Sequence, residues 1–161
     1  MKKMRLGQFG VIQVFTDKFW WQRKVLITGH TGFKGSWLAF WLSHLGAKVY
    51  GYALEPQEHQ KLYSILNLDS KIKSIIGDIC NHEKISNLIG ASEVEIIFHL
   101  AAQPLVSYSY ENTLETYRTN VLGTVSVLES FRASKKTQVL INITSDKCYD
   151  NREWEWPYRE N

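Results

Sequence analysis

Three glycines at three-residue spacing stand in the run Gly29-His30-Thr31-Gly32-Phe33-Lys34-Gly35. That spacing suits the cradling of a diphosphate by main-chain N–H groups. Gly29 permits a sharp turn, Gly32 lets the backbone approach a pyrophosphate with no Cβ in the way, and Gly35 lets a helix pack closely on the preceding strand. The first turn of that helix offers unpaired N–H groups and the positive end of its dipole to the anion. Thr31, Phe33 and Lys34 share the turn and are candidate contacts. Glycine triplets occur by chance. This one lies between a short apolar run and an amphipathic stretch, the context that dinucleotide binding requires.

The acidic residue that would hold an adenosine ribose is expected about 20 residues further on, after the second strand. Tyr52-Ala53-Leu54-Glu55 stands there. Glu55 comes slightly late and reads equally as a ribose ligand or a solvated loop residue. No arginine follows to grip a 2′-phosphate, so the balance favours NAD over NADP. Cys80 and Cys148 lie far apart and form no C-x-x-C pair, which leaves a structural zinc site without ligands and suits reduced thiols in a cytoplasmic protein. No metal is expected. A net charge of +3 with scattered Lys and Arg argues against a nucleic-acid partner. No stretch approaches the roughly 20 apolar residues of a membrane span. Lys2, Lys3 and Arg5 precede an apolar stretch interrupted by Gln8 and Gln13, which makes residues 1–18 an irregular extension rather than a secretory signal.

The elements that must position the turn follow from apolar periodicity. Lys24–Thr28 reads as a buried strand that stops at Gly29. Leu38, Trp41, Leu42 and Leu45 recur at helical spacing, with Gly46 as the stop. Further strands are expected at 48–52, 73–76, 95–100 and 138–143, with a short helix at 60–66. Asn81 should cap a helix through Ile85, Leu88 and Ile89, ending at Gly90. A long helix should present Leu114, Tyr117, Val121, Val125, Leu128 and Phe131 along its apolar face. The Val, Leu and Ile of the fifth strand imply burial on both faces. Strand and helix alternate, so residues 19–161 are expected to form an α/β domain of Rossmann type, a doubly wound parallel sheet that stops after its fifth strand.

The Gly-x-x-Gly-x-x-Gly spacing opened by Thr28 resembles the short-chain dehydrogenase/reductase superfamily, and other segments fall where its extended branch places them. Gly77-Asp78-Ile79 resembles the segment whose aspartate accepts a hydrogen bond from adenine. His99-Leu100-Ala101-Ala102-Gln103 resembles the fourth-strand exit that lies against the cofactor, and Asn120 the helix asparagine that orders the active-site region. The segments 28–37, 101–106 and 144–154, with Tyr158-Arg159-Glu160-Asn161, resemble the CDP-glucose 4,6-dehydratases over roughly residues 19–161. Ser145-Asp146-Lys147 is the most discriminating, because dTDP-glucose dehydratases carry Thr-Asp-Glu there. Ser107 stands where that family often has an arginine, and Pro157 where a glycine is expected.

The resemblance implies an NAD-dependent internal redox elimination on CDP-glucose. The C4 hydroxyl is oxidised to a ketone, the C5 proton and the C6 hydroxyl leave, and the hydride returns to C6. Ser145 would hydrogen-bond the C4 oxygen and Asp146 would release water as an acid. Lys147 would either stabilise the enolate or serve as the C5 base. Thr144 would line the cofactor site, and Gln103 and Pro104 would touch the sugar nucleotide. The superfamily's Tyr-x-x-x-Lys base is missing, since Tyr149 is followed four residues later by Glu153, and Tyr63 and Tyr117 also fail. Family members run to roughly twice this length, so the resemblance implies an absent substrate lobe, an inactive 161-residue piece and a homo-oligomeric full-length enzyme. The alternatives are another sugar-nucleotide epimerase or dehydratase, or a non-catalytic NAD-binding module.

Overall fold

A computed structural model describes residues 17–58, 61–145 and 148–159. Five parallel strands form one sheet: β1 (Lys24–Thr28), β2 (Lys48–Ala53), β3 (Lys73–Ile76), β4 (Ile96–His99) and β5 (Val139–Asn142), in the order β3-β2-β1-β4-β5. α1 (Asp17–Trp20) precedes β1, and between the strands run α2 (Phe33–His44), α3 (Lys61–Ile65), α4 (His82–Ser92), α5 (Val106–Glu111), α6 (Thr113–Tyr117) and α7 (Thr124–Ala133). The strand order reverses beside β1, which opens a crevice at the carboxyl ends of β1 and β4.

The continuous apolar run of β1 reflects cover on both faces. Val25 and Ile27 pack with Trp20, Ala39, Leu42 and Tyr63 on one side. Leu26 packs with Ile85, Ile89, Ile97 and Val127 on the other. This is the doubly wound architecture expected from the alternation of strand and helix. At the lower edge, Glu95 accepts from the Lys24 N–H at 3.0 Å and pairs with Arg23 at 2.8 Å, tying β1 to β4.

Local chemistry sets the helix ends. Gly46 adopts φ +84°, its N–H bonding to the Ser43 carbonyl while Ala47 bonds to Leu42, so α2 stops where the glycine was expected to stop it. Asn81 caps α4, its side chain accepting from the Lys84 N–H at 2.9 Å. Gly90 does not end that helix. The chain continues to Ser92, and Glu93 at φ +52° makes the left-handed exit, its carboxylate 3.1 Å from Lys24 Nζ. A Cβ on exposed Gly90 would meet nothing within 4 Å. Gly90→Ala is therefore expected to raise stability by about 1 kcal/mol, read as a higher urea midpoint at unchanged slope.

Two expectations about apolar faces are corrected. Leu114, Tyr117, Val121, Val125 and Leu128 are exposed, Phe131 packs against the core as expected, and the buried face of the 113–133 segment is Gly123, Val127 and Ser130. Small residues win that face because Ile79 lies so close that a Cβ at Gly123 would overlap it. The segment is also not one regular helix, since Arg118–Gly123 forms a π-helical turn between α6 and α7. Likewise β5 pairs only with β4 among the described residues, and its Val139 and Ile141 are exposed rather than buried on both faces.

Candidate functional site

The glycine turn is shaped by close backbone contacts on both sides. Gly29 takes φ +74° with its backbone against Ala101, and its N–H bonds to the Tyr52 carbonyl at 2.9 Å. A Cβ at Gly35 would overlap the Gly29 carbonyl, so this glycine is required by the packing of α2 on β1. Gly32 is different. Its φ of −74° suits any residue, and a Cβ there would find the nearest atom, the Gly29 carbonyl oxygen, at an ordinary 3.4 Å. No side chain caps α2 and no acidic residue occupies its first turn. The helix N-terminus thus keeps its N–H groups and positive potential for something outside the chain. Phe33 and Lys34 project outward there, while Thr31 is buried and donates to the Leu54 carbonyl at 3.1 Å.

Beneath the turn lies His30, fully buried. Its Nε2 is 2.8 Å from Ser74 Oγ on β3, and its ring rests on Gly51 where no Cβ intervenes. The Tyr63 ring meets it edge-on at 5.5 Å, and Tyr63 donates to Asp69 at 2.6 Å. His30 therefore reaches across β2 to pin the turn to β3. Its Nδ1 is buried without a hydrogen-bond partner among the described residues. Burial pulls the imidazole pKa down to about 4, against smaller upward pulls from the Tyr52 carbonyl and Asp69. Burial, and then the bond to Asp69, push Tyr63 up to about 12.

The β3 exit places Asp78 at the surface and Ile79 in the core. Asp78 accepts from the Cys80 N–H at 2.9 Å through Oδ1, and the Tyr52 hydroxyl donates to its carbonyl at 2.9 Å. Burial raises the Cys80 thiol above its usual pKa, and its Sγ meets the Arg118 carbonyl at 3.2 Å.

Across the crevice, the β4 exit is clamped twice. Leu100 and Ala101 donate their N–H groups to Thr28 Oγ1, each at 3.1 Å. Gln103 is gripped through its main chain: its N–H donates to Asn120 Oδ1 at 2.8 Å, and its carbonyl accepts from Asn120 Nδ2 at 3.0 Å. The Gln103 side chain bridges to Leu105 and Thr116. Ala102 and Pro104 are exposed between and beyond these clamps. The structure thus brings Gly29, Leu100, Ala101, Gln103 and Asn120 into one assembly. Thr144 and Ser145 follow β5 on the same edge of the sheet and are exposed, with Cys148 folding back on the Ser145 carbonyl at 2.9 Å. Asp146 and Lys147 lie outside the described residues.

Sequence reasoning missed Ser74 and Thr124, and named His30, Thr28 and His99 only within their segments, with no role for their side chains. A histidine between the glycines of a turn was a visible signal. So was Thr28 beside His99, as strand ends on either side of the switch in strand order. Among the described residues no cluster of histidine, cysteine, aspartate or glutamate could hold a metal, and no helix is long and apolar enough to cross a membrane.

Known proteins resemble this chain in sequence and in fold. CDP-glucose 4,6-dehydratase of Salmonella typhimurium is 54% identical over 146 residues, which is 90% of this chain and 41% of that protein. dTDP-D-glucose 4,6-dehydratase of Dictyostelium discoideum is 29% identical over 79% of the chain and 30% of its own length. The chain therefore spans less than half the length of these relatives. Among solved structures, UDP-glucose 4-epimerase from Brucella ovis in complex with NAD superposes with a TM-score of 0.69 at 28% identity, covering 86% of this chain and 39% of that one. The epimerase Mth375 of Methanothermobacter thermautotrophicus shares the fold at a TM-score of 0.74 and 23% identity, over 89% of this chain and 41% of its own. The family model for GDP-mannose 4,6-dehydratase matches residues 26–161, from the first strand through the turn and both clamps, and the chain belongs to that family.

Proposed function

We propose that this chain is the cofactor-holding part of an NAD-dependent CDP-glucose 4,6-dehydratase. The observation that carries the reading is the 54% identity with the Salmonella enzyme over 90% of the chain. The residues fit the cofactor: Gly32 leaves room that the fold itself does not need, at a helix N-terminus that no side chain caps. NAD would supply the hydride acceptor for C4 oxidation and the donor for return to C6.

The chain's own residues divide the remaining work. Main-chain N–H groups of residues 32–35, with Lys34, bind the diphosphate. Asp78 has a second carboxylate oxygen to accept from the adenine amino group. Glu55 is exposed just past β2, and no arginine separates β2 from β3, which favours NAD over NADP. Ala101 and Ala102 keep the β4 exit flat enough for the cofactor to lie against it. Gln103 and Pro104 line the sugar-nucleotide side. Ser145 orients the C4 oxygen, Asp146 hands a proton to the departing C6 hydroxyl, and Lys147 acts on the C5 side. Residues 19–161 form the cofactor domain in this reading, and the sugar lobe belongs to the length of the relatives that the chain does not span.

Titration calorimetry on the 161-residue chain tests the cofactor half. NAD is expected to bind, with NADP at least ~10-fold weaker, a gap of about 1.4 kcal/mol. Equal affinity for the two overturns the assignment. The substrate half is tested with the protein as its gene encodes it, by following the 4-keto-6-deoxy product from CDP-, dTDP-, UDP- and GDP-sugars. Turnover of another nucleotide sugar in preference to CDP-glucose, or of none, overturns it.

A further inference from the structure

We propose that His99 is a positioning residue that fixes the nicotinamide end of the site, through the one-directional hydrogen-bond chain Thr28–His99–Thr124–Asn120. The proposal rests on the NAD reading above. His99 ends β4 directly opposite Thr28, which ends β1, so the pair stands at the floor of the crevice where the strand order reverses.

Proton directions in this chain are forced from both ends. Thr28 Oγ1 already accepts two main-chain N–H groups, from Leu100 and Ala101. Its own hydrogen must go elsewhere, and His99 Nδ1 stands 2.7 Å away. Nδ1 is therefore the bare acceptor. At the other end, the Thr124 hydroxyl donates to the Asn120 carbonyl at 2.8 Å, so His99 Nε2, 3.0 Å from Thr124 Oγ1, must be the donor. Two independent requirements select the same neutral tautomer. Burial supports it, since His99 is 2% exposed and its pKa falls to about 4.

The chain then reaches the ligand side. Asn120 sits within the π-helical turn, where its carbonyl accepts from Thr124 four residues on while its amide grips the Gln103 main chain. Thr28 holds Leu100 and Ala101, and Asn120 holds Gln103, so His99 couples the two clamps on either side of Ala102. Asp78 and Glu55 place the adenosine half over β2 and β3. The opposite half of a dinucleotide must then lie over β4, against the segment these clamps shape. An imidazole with the other tautomer, or none, leaves Thr28 or Thr124 mispaired and that segment unshaped, while the diphosphate turn keeps its own anchors, Gly29 on the Tyr52 carbonyl and His30 on Ser74.

The test separates the two halves of the ligand. In His99→Leu, affinity for NAD is expected to fall at least ~10-fold while affinity for ADP stays within about twofold. Thr124→Val, close in shape to the native residue, should show the same selectivity with a smaller loss. Nitrogen NMR, with the His99 ring identified by the signals lost in His99→Leu, should find protonated Nε2 and bare Nδ1 on that ring. Equal loss of ADP and NAD in both variants marks a merely structural role and overturns the proposal, as does unchanged NAD affinity or the opposite tautomer. A wild-type chain that binds neither ADP nor NAD overturns the cofactor reading instead.

Discussion

Gly32→Ala is expected to leave the fold intact and to abolish NAD binding. The three glycines of the turn look alike in sequence and differ in what constrains them. Gly29 needs its positive φ, and Gly35 needs the absence of a Cβ because the Gly29 carbonyl fills that space. Gly32 has neither need: its φ is −74°, and its nearest neighbour would lie at 3.4 Å from an added Cβ. Alanine at 32 should therefore unfold at the wild-type urea midpoint. A diphosphate seated on the main chain at the start of α2 would meet the new methyl group directly. We expect at least a ~100-fold loss of NAD affinity, about 2.7 kcal/mol. Gly35→Ala is the control with the opposite profile, destabilising by about 2–3 kcal/mol through overpacking. If Gly32→Ala bound NAD as well as wild type, the diphosphate would not lie on this turn.

Which parts of this arrangement could be read from sequence follows from how local their causes are. The apolar run Val25-Leu26-Ile27 announces a strand covered on both faces, because Val25 and Ile27 enter one core and Leu26 the other. Gly46 and Asn81 announce helix ends because capping depends on a few adjacent residues. Gly90 misled for the same reason in reverse. A glycine near a helix end resembles a stop, yet the left-handed exit fell to Glu93, which also reaches Lys24 across the sheet edge. The 113–133 stretch misled more deeply. Its large apolar residues suggest the inward face, but contact with Ile79 selects small ones, and Ile79 is more than 30 residues away in sequence. A separation of 17 residues likewise hides the link from Asn120 to Gln103. Composition reported which residue types were present. It could not report that His99 would be spanned by two hydroxyls from different elements, since β1, β4 and α7 meet only in the folded chain.

Acid should unfold this protein steeply, and the two buried histidines should account for most of the slope. His30 and His99 each have a folded pKa of about 4, both lowered from 6.5 chiefly by burial. In the unfolded chain both rings take up protons near pH 6.5, while the folded chain resists until about pH 4. Between those values the unfolded state binds more protons, so stability is full above pH 6.5 and is lost as pH falls toward 4. Each ring contributes up to about 3 kcal/mol over that window, at 1.36 kcal/mol per pKa unit. Two rings together approach 6 kcal/mol, comparable with the whole stability of an ordinary domain at about 5–15 kcal/mol. Near pH 5 the unfolding free energy should therefore fall by about 2–3 kcal/mol per pH unit, with close to two protons taken up. Urea midpoints measured from pH 7 to 4.5 give that slope directly, and His30→Gln and His99→Gln should each remove about half of it. A flat profile between pH 6.5 and 5 would mean that these rings already carry charge in the folded state. Both rings would then reach water in the folded chain instead of lying buried in it.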